Sequence, residues 1–148
     1  MKLKPLLIIS LLLLSACSDR PKSNTHWGTP EHIATEFFHA LYNEKDLEKA
    51  KSFSTTEFAA LLDAYVTPRQ VARTLINMSY DEVIIEVNRS GQNLRQQYDN
   101  DANVILVFSG QYAGKKIVNL RTVTMVKKSG NWLVTAVKAD RFSNTATY

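Results

Sequence analysis

Tyr80 marks a change of period that limits what this chain can fold into. Before it, apolar residues recur every three or four positions. After it they alternate, or run in short β-branched stretches broken by glycine turns. Asn103–Tyr112, Lys116–Val126 and Trp132–Lys138 are the strongest strands, joined by turns at Ala113-Gly114-Lys115 and Lys128-Ser129-Gly130-Asn131. Neither connection holds a crossover helix, so these strands are antiparallel neighbours. Val83–Val87 is a shorter strand with Val83, Ile85 and Val87 on one face and Ile84 and Glu86 on the other. Asn88–Asn93, which contains Gly91, reads as a turn before a weak polar strand around Leu94–Tyr98, and Asp99-Asn100-Asp101 as the next turn. Gly110, inside a strand, marks a bulge that helps the sheet curl.

The helical half carries its own start signals. Thr29-Pro30-Glu31 supplies a cap hydroxyl, a proline at the first helical position and an acid at the positive end of the dipole. Ile33, Ala34, Phe37, Phe38, Ala40 and Leu41 share the apolar face that follows, and Asn43-Glu44-Lys45 ends the helix. Asp46 caps a second, short helix with Leu47, Ala50 and Phe53. Ser54-Thr55-Thr56-Glu57 reads as a capping box before Phe58, Leu61 and Leu62. Thr67-Pro68-Arg69-Gln70 repeats the device and opens a helix carrying Val71, Leu75, Ile76 and Met78. Helices first and a strand meander second predict an α+β domain, with N-terminal helices on one face of a curved antiparallel sheet. Residues 29–148, about 120 in all, suffice for one domain with a real core.

The start of the chain is of another kind. Met1 to Lys4 is positive, and an apolar run from Leu6 to Leu14 is broken only by Ser10. That layout is a secretory signal. It is too short to span a bilayer, which takes about 20 apolar residues. Leu14-Ser15-Ala16-Cys17 resembles the lipobox of bacterial lipoproteins. The resemblance implies cleavage of residues 1–16 and acylation of Cys17 with palmitate-type chains, which anchor stably when two or more are present. Ser18 after the cysteine is compatible with sorting to the outer membrane, facing the periplasm. Residues 17–28 form the lipidated cysteine and a polar tether, in which Trp27 is the one large apolar side chain. Cys17 is the only cysteine, so the fold stands without disulfides.

The chain has 18 Lys+Arg against 14 Asp+Glu. Loss of Lys2 and Lys4 leaves a net charge of +2, too little to support nucleic-acid binding from overall charge. From Asn103 onward the basic residues Lys115, Lys116, Arg121, Lys127, Lys128, Lys138 and Arg141 face Asp140 alone.

The helix-rich opening, the short helix after Asp46 and the ending Gly130-Asn131-Trp132-Leu133-Val134 resemble the nuclear-transport-factor-two-like superfamily, a cone-shaped α+β fold. The resemblance covers roughly Pro30–Arg141. It implies a cavity in which enzymes of the fold use Asp, Tyr or His, and it includes small bacterial lipoproteins and components of secretion machines.

Catalytic signals are missing from the pattern. His26 lies in the tether, and His32 and His39 fall opposite the apolar stripe without metal-ligand spacing. Glu86, the one acid inside a strong strand, points outward. The serines sit in caps and turns, and the glycines are isolated, so neither a nucleophile elbow nor a phosphate loop is present. No cofactor is implied.

Three leads remain. Val104-Ile105-Leu106-Val107-Phe108 is apolar on both strand faces, and Val123 and Met125 alternate with Val118 and Val126 in the same way. Helices cover one face only, so the other calls for a partner, a second copy or another envelope protein, or for cover by terminal segments. Lys115, Lys116, Lys138 and Arg141 are expected to collect at one end of the sheet, as an anion or partner contact or as solvated hairpin ends. Arg121 and Asn119 share the strand face opposite Val118 and Leu120, where they either line a cavity or face solvent, with solvent favoured. Together these readings give an anchored envelope domain that acts by binding. The alternatives are a small-ligand binder or cryptic enzyme using the cone cavity, and a component of a secretion machine.

Overall fold

A computed structural model of the chain describes residues 28–88 and 95–139. The signal, Cys17, Trp27 and most of the tether lie outside the described residues, as do Arg141 and the turn expected after Asn88.

Helix α1 (Pro30–His39) starts where its sequence predicts. The Thr29 hydroxyl accepts the His32 N–H at 3.3 Å, and Pro30 occupies the first turn. A π-helical turn, Ala40–Glu44, continues it and ends at Lys45 in the left-handed region, with φ 57°. Asp46 caps α2 (Leu47–Ser52) by accepting the Lys49 N–H at 2.9 Å. The cap of α3 (Thr56–Asp63) falls one residue later than expected. Thr55 takes that role, accepting the Phe58 N–H, while Ser54 turns inward and donates to the Ala50 carbonyl. Glu57 therefore misses the third helical position that a capping box requires. At α4 (Pro68–Gln70) the device is reciprocal: Thr67 accepts the Gln70 N–H and donates to the Gln70 side-chain oxygen. A second π-helical turn, Val71–Leu75, ends the helical half short of Met78. Ile76 and Met78 are nevertheless buried beyond its end.

The sheet comprises β1 (Glu82–Val87), β2 (Arg95–Tyr98), β3 (Asp101–Tyr112), β4 (Lys115–Lys128) and β5 (Asn131–Ala139), all antiparallel to their neighbours, in the order β1-β3-β4-β5. β2 also pairs with β3, on the edge that β1 occupies. Val87 faces Leu106 and Arg95 faces Val104, so only Ile105 separates the two pairings on β3. β1 and β2 are thus two pieces of one interrupted edge strand, not the arms of a hairpin. The β3–β4 and β4–β5 turns each place two consecutive residues at positive φ (Ala113 50°, Gly114 76°; Ser129 49°, Gly130 83°). This is the two-residue hairpin geometry that matches strand twist. The expected bulge at Gly110 is absent, since Val83, Gly110 and Ile117 pair in unbroken register. Glycine is required there for a different reason. A Cβ would run into the Glu82 carbonyl and lie 2.7 Å from the Tyr80 ring. The bulge is on β5 instead, where Thr124 faces Ala136 and Met125 faces Val134, leaving Thr135 over. On its other side β5 is bridged at Val134 by the Phe53–Thr55 stretch, through bonds of 2.8 and 2.9 Å.

The core lies between the helices and one face of this curved sheet. Val104, Leu106, Phe108 and Val123 are fully buried against Phe37, Phe38, Leu41 and Leu62. Phe38 meets Phe37 and Phe108 edge-to-face at centroid distances of 5.0 and 4.7 Å. Each such ring contributes roughly 1.5–3 kcal/mol through burial. The α+β architecture expected from the sequence is the one observed.

Candidate functional site

Two regions merit attention: the end of the sheet beneath Tyr42 and Tyr80, and the face away from the helices.

Arg121 sits on the inner face of β4, between Leu106 of β3 and Ala139 of β5. It is only 6 % exposed, so the expectation that it faces solvent is overturned. Its Nη1 donates to the Leu120 carbonyl at 2.8 Å, and Nη2 reaches the carbonyls of Ile76 and Asn77, each at 3.4 Å. Those two carbonyls close the π-helical turn Val71–Leu75, and Asn77 is left-handed (φ 55°). A cation at a helix C-terminus is favoured by the exposed carbonyls and the dipole. That interaction is what draws the guanidinium inward. Among the described residues no carboxylate pairs with it, and its Nε has no partner. Burial pushes its pKa below the usual arginine value, with Tyr42 and Tyr80 acting the other way. An arginine stays charged regardless.

Tyr42 and Tyr80 surround this clasp and meet edge-to-face at 5.7 Å. The Tyr42 hydroxyl donates to the Met78 carbonyl at 2.9 Å, while Asn119 donates to the Tyr80 hydroxyl at 2.7 Å. Burial is the main cause that raises the proton affinity of both phenols, more strongly for Tyr42; Arg121 opposes it in each case. They remain neutral donors and acceptors rather than bases. Arg121 and Asn119 are thus brought to one face, as their spacing implies, but they serve a structural network. The two tyrosines were missed by sequence reasoning. Tyr42 carried the only available signal, standing four residues after Phe38 on the helical stripe.

A groove of about 600 Å³ adjoins the network, lined by Tyr42, Asn43 and Lys45 on one side and by Val83, Ile84 and Lys116 on the sheet. Ile84 and Val83 belong to opposite faces of β1, so the groove follows the end of the sheet and does not enter the core. Phe38, Leu106 and Phe108 pack fully buried in the core between the helices and the sheet. Asp81 at the groove holds the Ala113 N–H at 2.9 Å, a turn contact. No group of three or more metal-ligating side chains occurs among the described residues. His32 and His39 are half-buried rather than fully solvated, and Glu86 is exposed as expected.

The basic cluster is only partly assembled. Lys115 and Lys116 are adjacent and exposed at the β3–β4 hairpin. Lys138 faces Thr122 in the β4–β5 register. It is therefore about 20 Å along β4 from Lys116, at roughly 3.3 Å per residue.

The outer sheet face is built from the alternate residues. One cross-strand row is Ile84, Ser109 and Val118, and the next is Glu86, Val107 and Leu120. Ile84 is 65 % and Val118 38 % exposed, and Ile105, Val107 and Leu120 are half-buried. The described helices all pack against the opposite face.

In comparisons with known proteins, no family model, no curated protein and no solved structure matches this chain.

Proposed function

We propose that the chain is a lipid-anchored domain of the bacterial envelope that works by binding, through the outer face of its sheet. The observation that supports this most is the group of apolar residues Ile84, Val107, Val118 and Leu120, which no described helix covers. A contiguous apolar patch on an otherwise polar surface marks an interaction site. The anchoring rests on the Leu14-Ser15-Ala16-Cys17 resemblance, and with Ser18 it favours the outer membrane and the periplasmic side. No described helix is long and apolar enough to cross a bilayer. The cone-fold resemblance fits the layout of helices on a curved sheet and stands as part of this proposal. The filled interior speaks for binding at the surface over small-ligand chemistry inside.

The simplest partner is a second copy, since one exposed apolar patch can be covered by its own twofold mate; another envelope protein is the alternative. Sedimentation of the chain from Ser18 onward is the test. A concentration-dependent dimer abolished by Val118→Lys supports self-pairing. A monomer that captures an envelope protein in cells, lost with the same substitution, supports the second partner. A monomer with no Val118-dependent partner contradicts the proposal.

A further inference from the structure

Among the described residues the outer edge of β1 has no strand to pair with, and the groove reaches that edge at Asn43, Val83 and Ile84. In an antiparallel ladder, alternate residues direct both backbone groups to one neighbour and the intervening residues direct them away. The Asn88 N–H bonds the Ile105 carbonyl at 2.9 Å, which assigns the even-numbered residues to β3. Val83, Ile85 and Val87 must therefore turn their N–H and C=O groups away from the sheet. One contact bears this out. The Asn43 side-chain amide donates to the Val83 carbonyl at 3.2 Å, standing where the N–H of an added strand would stand. Among the described residues no strand lies on that side of β1.

We propose that this edge accepts an extended peptide as an additional strand, with basic and apolar residues alternating on its outward face. Main-chain bonds supply affinity in such augmentation, and side chains at alternate positions supply selectivity. On β1 those outward positions are Glu82, Ile84 and Glu86, all exposed. Opposite-charge and apolar cross-strand pairs are the favourable ones, so the matching strand presents a cation, an apolar residue and a cation. A second β1 is disfavoured in the register centred on Ile84. Two-fold pairing about Ile84 sets Glu82 of one copy against Glu86 of the other, like charges directly opposite. The same charges guard the edge against self-addition, while the exposed Ile84 between them leaves it open to a basic strand.

This inference rests on the reading of the domain as a binding module but uses the β1 edge in place of the face; Ile84 is common to both, and Val118 and the β1 amides report on each separately. Loss of Val118-dependent partners with peptide addition at β1 intact removes the face alone, and the converse removes the edge alone. The experiment is an NMR titration of the chain from Ser18 onward. The probe is a short synthetic peptide alternating Lys, Thr, Val, Thr, Lys and Thr, with a control in which Glu replaces Lys. Expected are shifts and increased exchange protection at the Val83, Ile85 and Val87 amides. Binding should weaken at least tenfold in the surface variant Glu82→Lys/Glu86→Lys, and in Val87→Pro, which deletes one outward N–H. The Glu-containing control should leave these amides unmoved. Three results overturn the proposal: no shift at these amides, shifts indifferent to the charge reversal, or concentration-dependent protection of the edge without peptide, which assigns it to a second copy.

Discussion

The two faces of β3 are made from the same kind of residue and meet opposite fates. Val104, Leu106 and Phe108 are fully buried beneath the helices, while Ile105 and Val107, which alternate with them, remain half-buried on the far side. Hydrophobicity alone does not distinguish the two sets. The helical half does, because it covers a single face. The inner face therefore forms the core of the described residues, and the outer face is apolar surface that no described helix covers.

The comparison breaks if the inner face is not the energetic centre, so the largest expected effect lies there. Phe108→Ala should cost about 3–5 kcal/mol in urea unfolding, as a large aromatic lost from a packed core. Val107→Ala, one residue away on the other face, should cost less than about 1 kcal/mol. Equal costs would mean that the outer face is covered in the free chain.

Arg121 is the inner-face residue that resists the simple division. Arg121→Ala is expected to destabilise by about 2–3 kcal/mol, since it strips the bonds from the Ile76 and Asn77 carbonyls and leaves a void. Arg121→Met should recover the packing share, because buried charges replaced by apolar groups of similar volume are often tolerated. If both variants unfold alike, the guanidinium bonds carry the site; a full recovery in Met would make it a packing residue. Gly110→Ala comes next, at about 1–3 kcal/mol from overpacking against Tyr80 and the Glu82 carbonyl. Thermal unfolding reads it directly, and a neutral result would mean that the β1 backbone at Glu82 shifts along with the Tyr80 ring. Smallest in stability is Ile84→Asp on the outer face, expected within about 0.5 kcal/mol of the parent. Its effect should appear in partner binding alone.

These contrasts also mark what the residues themselves could disclose. The strands, the two tight hairpins and most caps were legible because alternation and glycine turns are local signals. The outward direction of Glu86 followed from its position between Ile85 and Val87. Arg121 was misjudged because a lone arginine in a strand costs least in water. The carbonyls that draw it inward come from Ile76 and Asn77, more than forty residues earlier. Gly110 carried a true signal with two meanings, bulge or close approach, and the neighbouring Glu82 carbonyl and Tyr80 ring decide between them. The collinear β1 and β2 depend on a shared pairing partner, which no local pattern encodes. Lys138 was misplaced for a related reason: its distance from the β3–β4 hairpin depends on the β4–β5 register, which sets it opposite Thr122. The lipidation site, Cys17, is local to the sequence and lies outside the described residues.

Site-specific photocrosslinking in cells compares the two sides of the domain most directly. One crosslinker replaces Val118 on the outer face and another replaces Leu61, which is 42 % exposed on the helical side. The account predicts a discrete crosslinked product from position 118 and none from position 61. Equal products from both positions, or none from 118, would contradict it.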